Sequence, residues 1–253
     1  MRHVLALWRI LSALWQLLVG SLTCAFLFPF IGPPRRMQHV RRWSLRMLRA
    51  LGIELRSSGM PQAGRLLVVA NHVSWLDILA INAVQPARFV SKSDVRAWPL
   101  IGWLVACAGT LFIERERKRD ALRVVHQVAA TLKAGEVVAV FPEGTTSDGR
   151  GLLPFHANLL QAAISTETPV QPVVLRFADS AAAFSAAAAY VGDTSLAQSL
   201  WWIVMARGLQ AHVAWLPAEA SAGVERRILS ERLRGRIVQA LNVTELPLAA
   251  GQT

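Results

Sequence analysis

From Leu66 onward, apolar runs of strand length alternate with segments of helix length. Strands are predicted over 66–70, 88–91, 111–113, 137–141, 170–177 and 210–216, and helices over 75–84, 100–108, 120–133, 155–166, 196–207 and 224–241. Pro172 has no N–H to give a ladder, so it predicts an edge or a bulge in its strand. The Ala-rich section over 179–189 carries no clear period. Such alternation implies an α/β fold with a mixed, largely parallel sheet covered by helices.

The N-terminus breaks this pattern. Positions 10–31 hold no charged residue, 22 in a row, and a helix needs about 20 to cross a bilayer core. The run is longer than a signal-peptide core and no small-x-small cleavage site follows it. It reads as a membrane-anchoring helical segment that either spans the bilayer or dips into it as a bent hairpin. Arg35, Arg36, Arg41, Arg42, Arg46 and Arg49 follow, interleaved with Met37, Val40, Trp43, Leu45, Met47, Leu48 and Leu51 on a helix over 34–51. That pattern fits a helix lying on an anionic membrane surface, or an ordinary solvated helix face. We divide the chain into residues 1–60, anchor and basic helix, and residues 61–253, the catalytic domain. The arginines follow the apolar segment, which places that domain on the cytoplasmic side, the inner membrane in a bacterium.

Composition narrows the partners. The formal net charge is +11, from 27 Lys plus Arg against 16 Asp plus Glu, and 53% of residues are hydrophobic. The excess charge calls for something anionic. Its clustering beside an apolar anchor, with no recognition motif, points to a phospholipid membrane and away from nucleic acid. Cys24 and Cys107 are the only cysteines, so neither a disulfide framework nor a cysteine metal site is expected, and no metal or bound cofactor is predicted. The chain has no Gly-x-Gly-x-x-Gly, Walker loop or Gly-x-Ser-x-Gly elbow.

The chemistry concentrates where two apolar strands stop. Leu67-Val68-Val69-Ala70 breaks into Asn71-His72, and Asp77 follows five positions after the histidine. Five residues of ideal helix advance about 500°, leaving the two side chains roughly 140° apart. They meet only if His72 precedes the helix and Asp77 lies in its first turn, with Ser74 as N-cap candidate. His72 and Asp77 then form a general base and its orienting carboxylate. The competing reading is structural, with Ser74 and Asp77 as a capping box. The second strand, ending at Phe141-Pro142, breaks into Glu143-Gly144-Thr145-Thr146-Ser147-Asp148-Gly149. Such a loop offers donors to a polar substrate or phosphate, or serves only as a turn. Between the two, Arg115 follows Phe112-Ile113 as a phosphate anchor or as part of a charged loop.

In order, Asn71-His72 with Asp77, Gly109 with Phe112-Ile113 and Arg115, Phe141-Pro142-Glu143-Gly144-Thr145, and Val170 with Pro172-Val173 resemble the four-block pattern of the glycerolipid acyltransferase family. Its bacterial members include 1-acylglycerol-3-phosphate acyltransferases. The resemblance implies that His72 deprotonates the acceptor hydroxyl, that Asp77 holds the imidazole tautomer, and that Arg115, Glu143, Gly144, Thr145 and Thr146 bind substrate. The donor would be an acyl-CoA or acyl carrier protein thioester and the acceptor a lysolipid, 1-acylglycerol-3-phosphate first. The departures concern that acceptor. Thr146 stands where relatives acting on lysophosphatidic acid often carry an arginine, and His156 and Asn158 where a lysine and a glycine often follow the Pro-Phe pair. Thr145-Thr146-Ser147-Asp148-Gly149 is similar to relatives that acylate lyso-ornithine lipid, the alternative acceptor. Two other classes stay open: a lipid ester hydrolase, for which Ser74 and Ser147 lack an elbow, and a non-catalytic membrane-binding module.

Overall fold

A computed structural model describes residues 2–113 and 118–243. Seven strands form one sheet: β1 Glu54–Ser58, β2 Leu66–Ala70, β3 Arg88–Lys92, β4 Leu111–Ile113, β5 Val137–Val140, β6 Val170–Ala178 and β7 Gln210–Trp215. Their order is β1-β7-β6-β2-β5-β3-β4, with every neighbouring pair parallel except β6 and β7. β2 sits at the centre and all five of its residues are buried, as a strand covered on both faces requires. Its Leu66, Val68 and Ala70 face one apolar cluster, with Leu76, Ile81 and Ile203. Leu67 and Val69 face the other, with Leu132, Leu160 and Leu233.

Eight α-helices cover the sheet among the described residues: α1 Arg2–Leu22, α2 Pro33–Ala50, α3 Leu76–Val84, α4 Ile101–Cys107, α5 Lys118–Lys133, α6 Leu160–Ser165, α7 Leu196–Met205 and α8 Arg226–Val243. The helix predicted over 155–166 is shorter, because its first turn is a 3-10 segment, Ala157–Leu159.

Two elements differ from the sequence reading. Pro172 lies in β6, an interior strand flanked by β7 and β2, not at an edge. Its carbonyl accepts from Leu216 N, and the reciprocal donor is the one proline lacks. Gln171, 2% exposed, fills the gap by donating its Nε2 to the Leu216 carbonyl at 2.8 Å. A side-chain amide thus replaces a ladder bond, which lets proline occupy the sheet interior. The second difference is β1, an edge strand parallel to β7 that lies within residues 1–60. Its sequence, Glu-Leu-Arg-Ser-Ser, is mostly exposed and has no apolar alternation to betray it.

The stretch from Arg2 to Phe30 is the one helical run among the described residues that is long and apolar enough to cross a membrane, with an 18-residue window of mean hydropathy 1.8, 11% of it buried. It packs against α2 and α7. Arg9 donates its Nη1 to the carbonyls of Val204 and Ala206 at the C-terminal end of α7, at 2.7 and 2.8 Å. The basic helix α2 packs against α1 and α3 and buries Val40, Met47 and Leu48. Its arginines at 35, 41, 42, 46 and 49 are exposed.

Candidate active site

The site forms where β2 and β5, parallel neighbours, end side by side. After β2 the chain is steered by Asn71, which is fully buried. Its Nδ2 donates to the Leu175 carbonyl at 2.8 Å and its Oδ1 accepts from Leu175 N at 2.7 Å. The side chain thus continues the pairing with β6 while the backbone turns away. His72 follows outside any helix, and Asp77 is the second residue of α3, the arrangement that the five-residue spacing demanded.

Asp77 is fully buried. Its Oδ2 takes three donors: His72 Nδ1 at 2.7 Å, Val73 N at 2.7 Å and Ser74 N at 2.9 Å. The carboxylate therefore holds the turn and faces the imidazole at once. Ser74 is not the N-cap. That position is Trp75, with no side-chain cap, and the Ser74 hydroxyl is buried without a hydrogen-bond partner among the described residues. Asp77 satisfies the backbone N–H groups of the turn itself, which makes a capping hydroxyl unnecessary.

The imidazole lies flat on Phe141, with ring centroids 4.0 Å apart and planes 8° apart. Phe141 in turn stacks on Phe89. With Nδ1 facing a carboxylate, a neutral ring carries its proton there and presents the Nε2 lone pair. The His72 side chain is 19% exposed, enough for a small group to reach that nitrogen.

The loop after β5 wraps the same residue. Glu143, 4% exposed, accepts His72 N at 2.7 Å on Oε1 and Leu153 N at 2.9 Å on Oε2. Burial pushes its carboxyl above the ordinary range, and the hydrogen bonds from Leu153 and His72 oppose that shift. Ser147 N donates to the His72 carbonyl at 2.8 Å. Gly144 adopts a φ of 74°, a left-handed turn that a side chain would strain. Thr146 donates its hydroxyl to the Tyr190 carbonyl, while Tyr190 N donates to the Val73 carbonyl at 3.0 Å. Tyr190, beyond the section without a clear period, therefore ties the two loops together.

Of the residues singled out in the sequence, the structure gathers His72, Asp77, Glu143, Gly144 and Thr146 around one turn. Thr145 is exposed beside them, and Arg115 lies outside the described residues. Phe141, Tyr190 and Leu153 were missed. In the sequence Phe141 reads as the end of a strand, and nothing local marks it as the floor under the histidine. Among the described residues no group of His, Cys, Asp or Glu could hold a metal ion.

The acyltransferase family profile matches residues 53–176, which span His72, Asp77, Phe141, Glu143, Gly144, Thr146 and Leu153 but not Tyr190. A lyso-ornithine lipid O-acyltransferase from Pseudomonas aeruginosa is 36% identical over 214 residues, covering 85% of this chain and 82% of the relative. A 1-acyl-sn-glycerol-3-phosphate acyltransferase from Neisseria meningitidis is 38% identical over 188 residues, covering 74% and 73%. Among solved structures, the 1-acyl-sn-glycerophosphate acyltransferase PlsC from Thermotoga maritima has the same fold, with a TM-score of 0.71 at 18% identity over the whole of both chains. On this likeness and on the motif residues that the fold brings together, the chain belongs to the acyltransferase family and is an O-acyltransferase of the lysophospholipid type.

Proposed function

We propose that this enzyme moves a fatty acyl group from a thioester, acyl-CoA or acyl carrier protein, to the free hydroxyl of a membrane lysolipid. The observation that carries the reading is the His72–Asp77 pair at 2.7 Å, set beside a partly open ring face. His72 Nε2 takes the proton of the acceptor hydroxyl as its oxygen attacks the thioester carbonyl. The tetrahedral intermediate then collapses, the thiolate leaves, and the proton on Nε2 returns to it as thiol. Asp77 fixes the tautomer and stabilises the imidazolium. No side-chain nucleophile takes part, so no acyl-enzyme forms.

The first acceptor is 1-acylglycerol-3-phosphate, supported by the 38% identical Neisseria relative and by Arg150, an exposed cation on the loop after β5. A second reading, lyso-ornithine lipid, is favoured by Thr146. Its hydroxyl is engaged by Tyr190 and supplies no positive charge for a phosphomonoester, and the Pseudomonas relative covers more of the chain.

A membrane provides the setting. Val4, Trp8, Leu11, Trp15 and Leu18 stand exposed on α1 beside Trp201 and Trp202 of α7, and the exposed arginines of α2 suit anionic headgroups on the cytoplasmic side.

The test is purified enzyme in detergent with both thioesters against both lysolipids. Acceptor-dependent thiol release is expected, with the acylated lysolipid as product, and His72→Ala should lower it by about 10²–10⁴-fold. Wild-type rates in the folded His72→Ala variant would sink the base assignment. Fatty acid released without an acceptor would favour a hydrolase.

A further inference from the structure

The sequence resemblance assigns Glu143 to substrate binding, but its surroundings assign it elsewhere. Both carboxylate oxygens face backbone N–H groups, His72 at 2.7 Å and Leu153 at 2.9 Å. The residue is 4% exposed, which leaves almost no carboxylate surface for an acceptor to touch. We propose that Glu143 is a positioning residue for His72, bracing its backbone from the loop after β5, and that it does not contact the lysolipid. The proposal rests on His72 acting as the base.

Glu143 reaches what Asp77 cannot. Asp77 holds the imidazole and the N–H groups of Val73 and Ser74, all of them at or beyond the histidine side chain. The peptide entering His72 is held by Glu143, and the peptide leaving it accepts from Ser147 N. Phe141, two residues before Glu143, supports the ring face. The loop after β5 therefore grips His72 on the sides that its own turn leaves open. A carboxylate suits this role because one side chain accepts on two oxygens pointing to different loops.

The brace is anchored behind as well. Leu153, whose N–H Glu143 accepts, has its carbonyl and that of Leu152 bound by Arg234 of α8, at 3.3 and 2.9 Å. A line of contacts thus runs from α8 through the 152–153 backbone and Glu143 to the His72 peptide. A shift of about 1 Å in a catalytic group can cost on the order of 10²-fold in rate with little change in binding.

The experiment separates kcat from KM. Glu143→Gln retains an oxygen for one N–H but sets its amide NH2 against the other, so one bracing bond becomes a donor–donor clash. Expected is a kcat lower by about 10–10²-fold, with KM for lysolipid and for thioester each within about twofold of wild type. Arg234→Met, which touches neither His72 nor Glu143, should show the same signature at about two- to fivefold. Thermal melts establish that both variants are folded, and should Glu143→Gln not fold, Arg234→Met decides. A rise in lysolipid KM with unchanged kcat in Glu143→Gln would overturn the proposal and restore the acceptor-binding role. Unchanged kcat in folded Arg234→Met would equally overturn the brace. His72→Ala, measured alongside, keeps the two readings distinguishable: if it retains activity the base assignment fails, whatever Glu143 does.

Discussion

At the turn after β2, one oxygen of Asp77 accepts three hydrogen bonds between 2.7 and 2.9 Å, while on the outer face of α1 Val4, Trp8, Leu11 and Trp15 each stand more than half exposed. Both regions are conspicuous in the sequence, and they follow opposite rules. The turn is tied from within: Asp77 Oδ2 takes the ring and two backbone donors, while Asp77 Oδ1 and the Ser74 hydroxyl are buried without partners among the described residues, and a buried donor left without a partner costs about 1–3 kcal/mol. The outer face of α1 has nothing among the described residues to bury it, and its free energy depends on what lies outside. Changes at the turn should therefore act on rate, and changes on α1 on location.

The sharpest break in that division would come from Asp77→Asn. The isosteric amide can present an N–H to Nδ1 and so favour the wrong tautomer, and kcat should fall by about 10²–10⁴-fold while sedimentation with anionic vesicles stays as in wild type. Loss of vesicle binding would show that the regions are not separable. Next, Trp8→Ser with Trp15→Ser should weaken partition into phosphatidylglycerol-containing vesicles by at least about tenfold, since burying one large apolar side chain contributes about 1.5–3 kcal/mol. The kcat on detergent-solubilised substrates should stay within twofold. Unchanged partition would remove α1 from the membrane contact.

Trp75 probes the seam between the regions. Its Nε1 donates to the Ser199 hydroxyl of α7 at 3.0 Å, and α7 packs against α1. Trp75→Phe strands a fully buried hydroxyl, which should lower stability by about 1 kcal/mol, roughly 2–4 °C in Tm for a chain of this size. A larger loss of activity than of stability would mean that α7 also helps to set the turn. The smallest effect concerns pH. Burial raises the Glu143 carboxyl above its ordinary value, so its stabilising contribution is present below that value and is lost as pH rises through the raised one. The Tm difference between Glu143→Gln and wild type should move in favour of the variant as pH rises above the ordinary carboxyl range, read by thermal melts.

The elements legible in the sequence were those whose environment is uniform along the segment. A strand buried on both faces reads as an unbroken apolar run, hence β2, and the stop at Asn71-His72 marked the site. The His72–Asp77 pairing was legible because five-residue spacing allows only a strand-turn-helix. β1 was not, since an exposed edge strand needs no apolar pattern. Nor was the interior position of Pro172, which depends on the Gln171 amide beside it.

By itself the sequence determined the alternation of strands and helices, the histidine–carboxylate pair and the apolar N-terminus, because each rests on local spacing or on burial averaged over a segment. Only the tertiary structure decided how the pair is held. Phe141 under the ring, Glu143 on the His72 peptide and Tyr190 between the loops lie 69, 71 and 118 positions from His72 in the chain. Two parallel strands ending side by side bring the first two to the histidine, and the Tyr190 backbone closes the gap between their loops. No periodicity records which strands become neighbours, because that choice is made by the packing of the whole sheet.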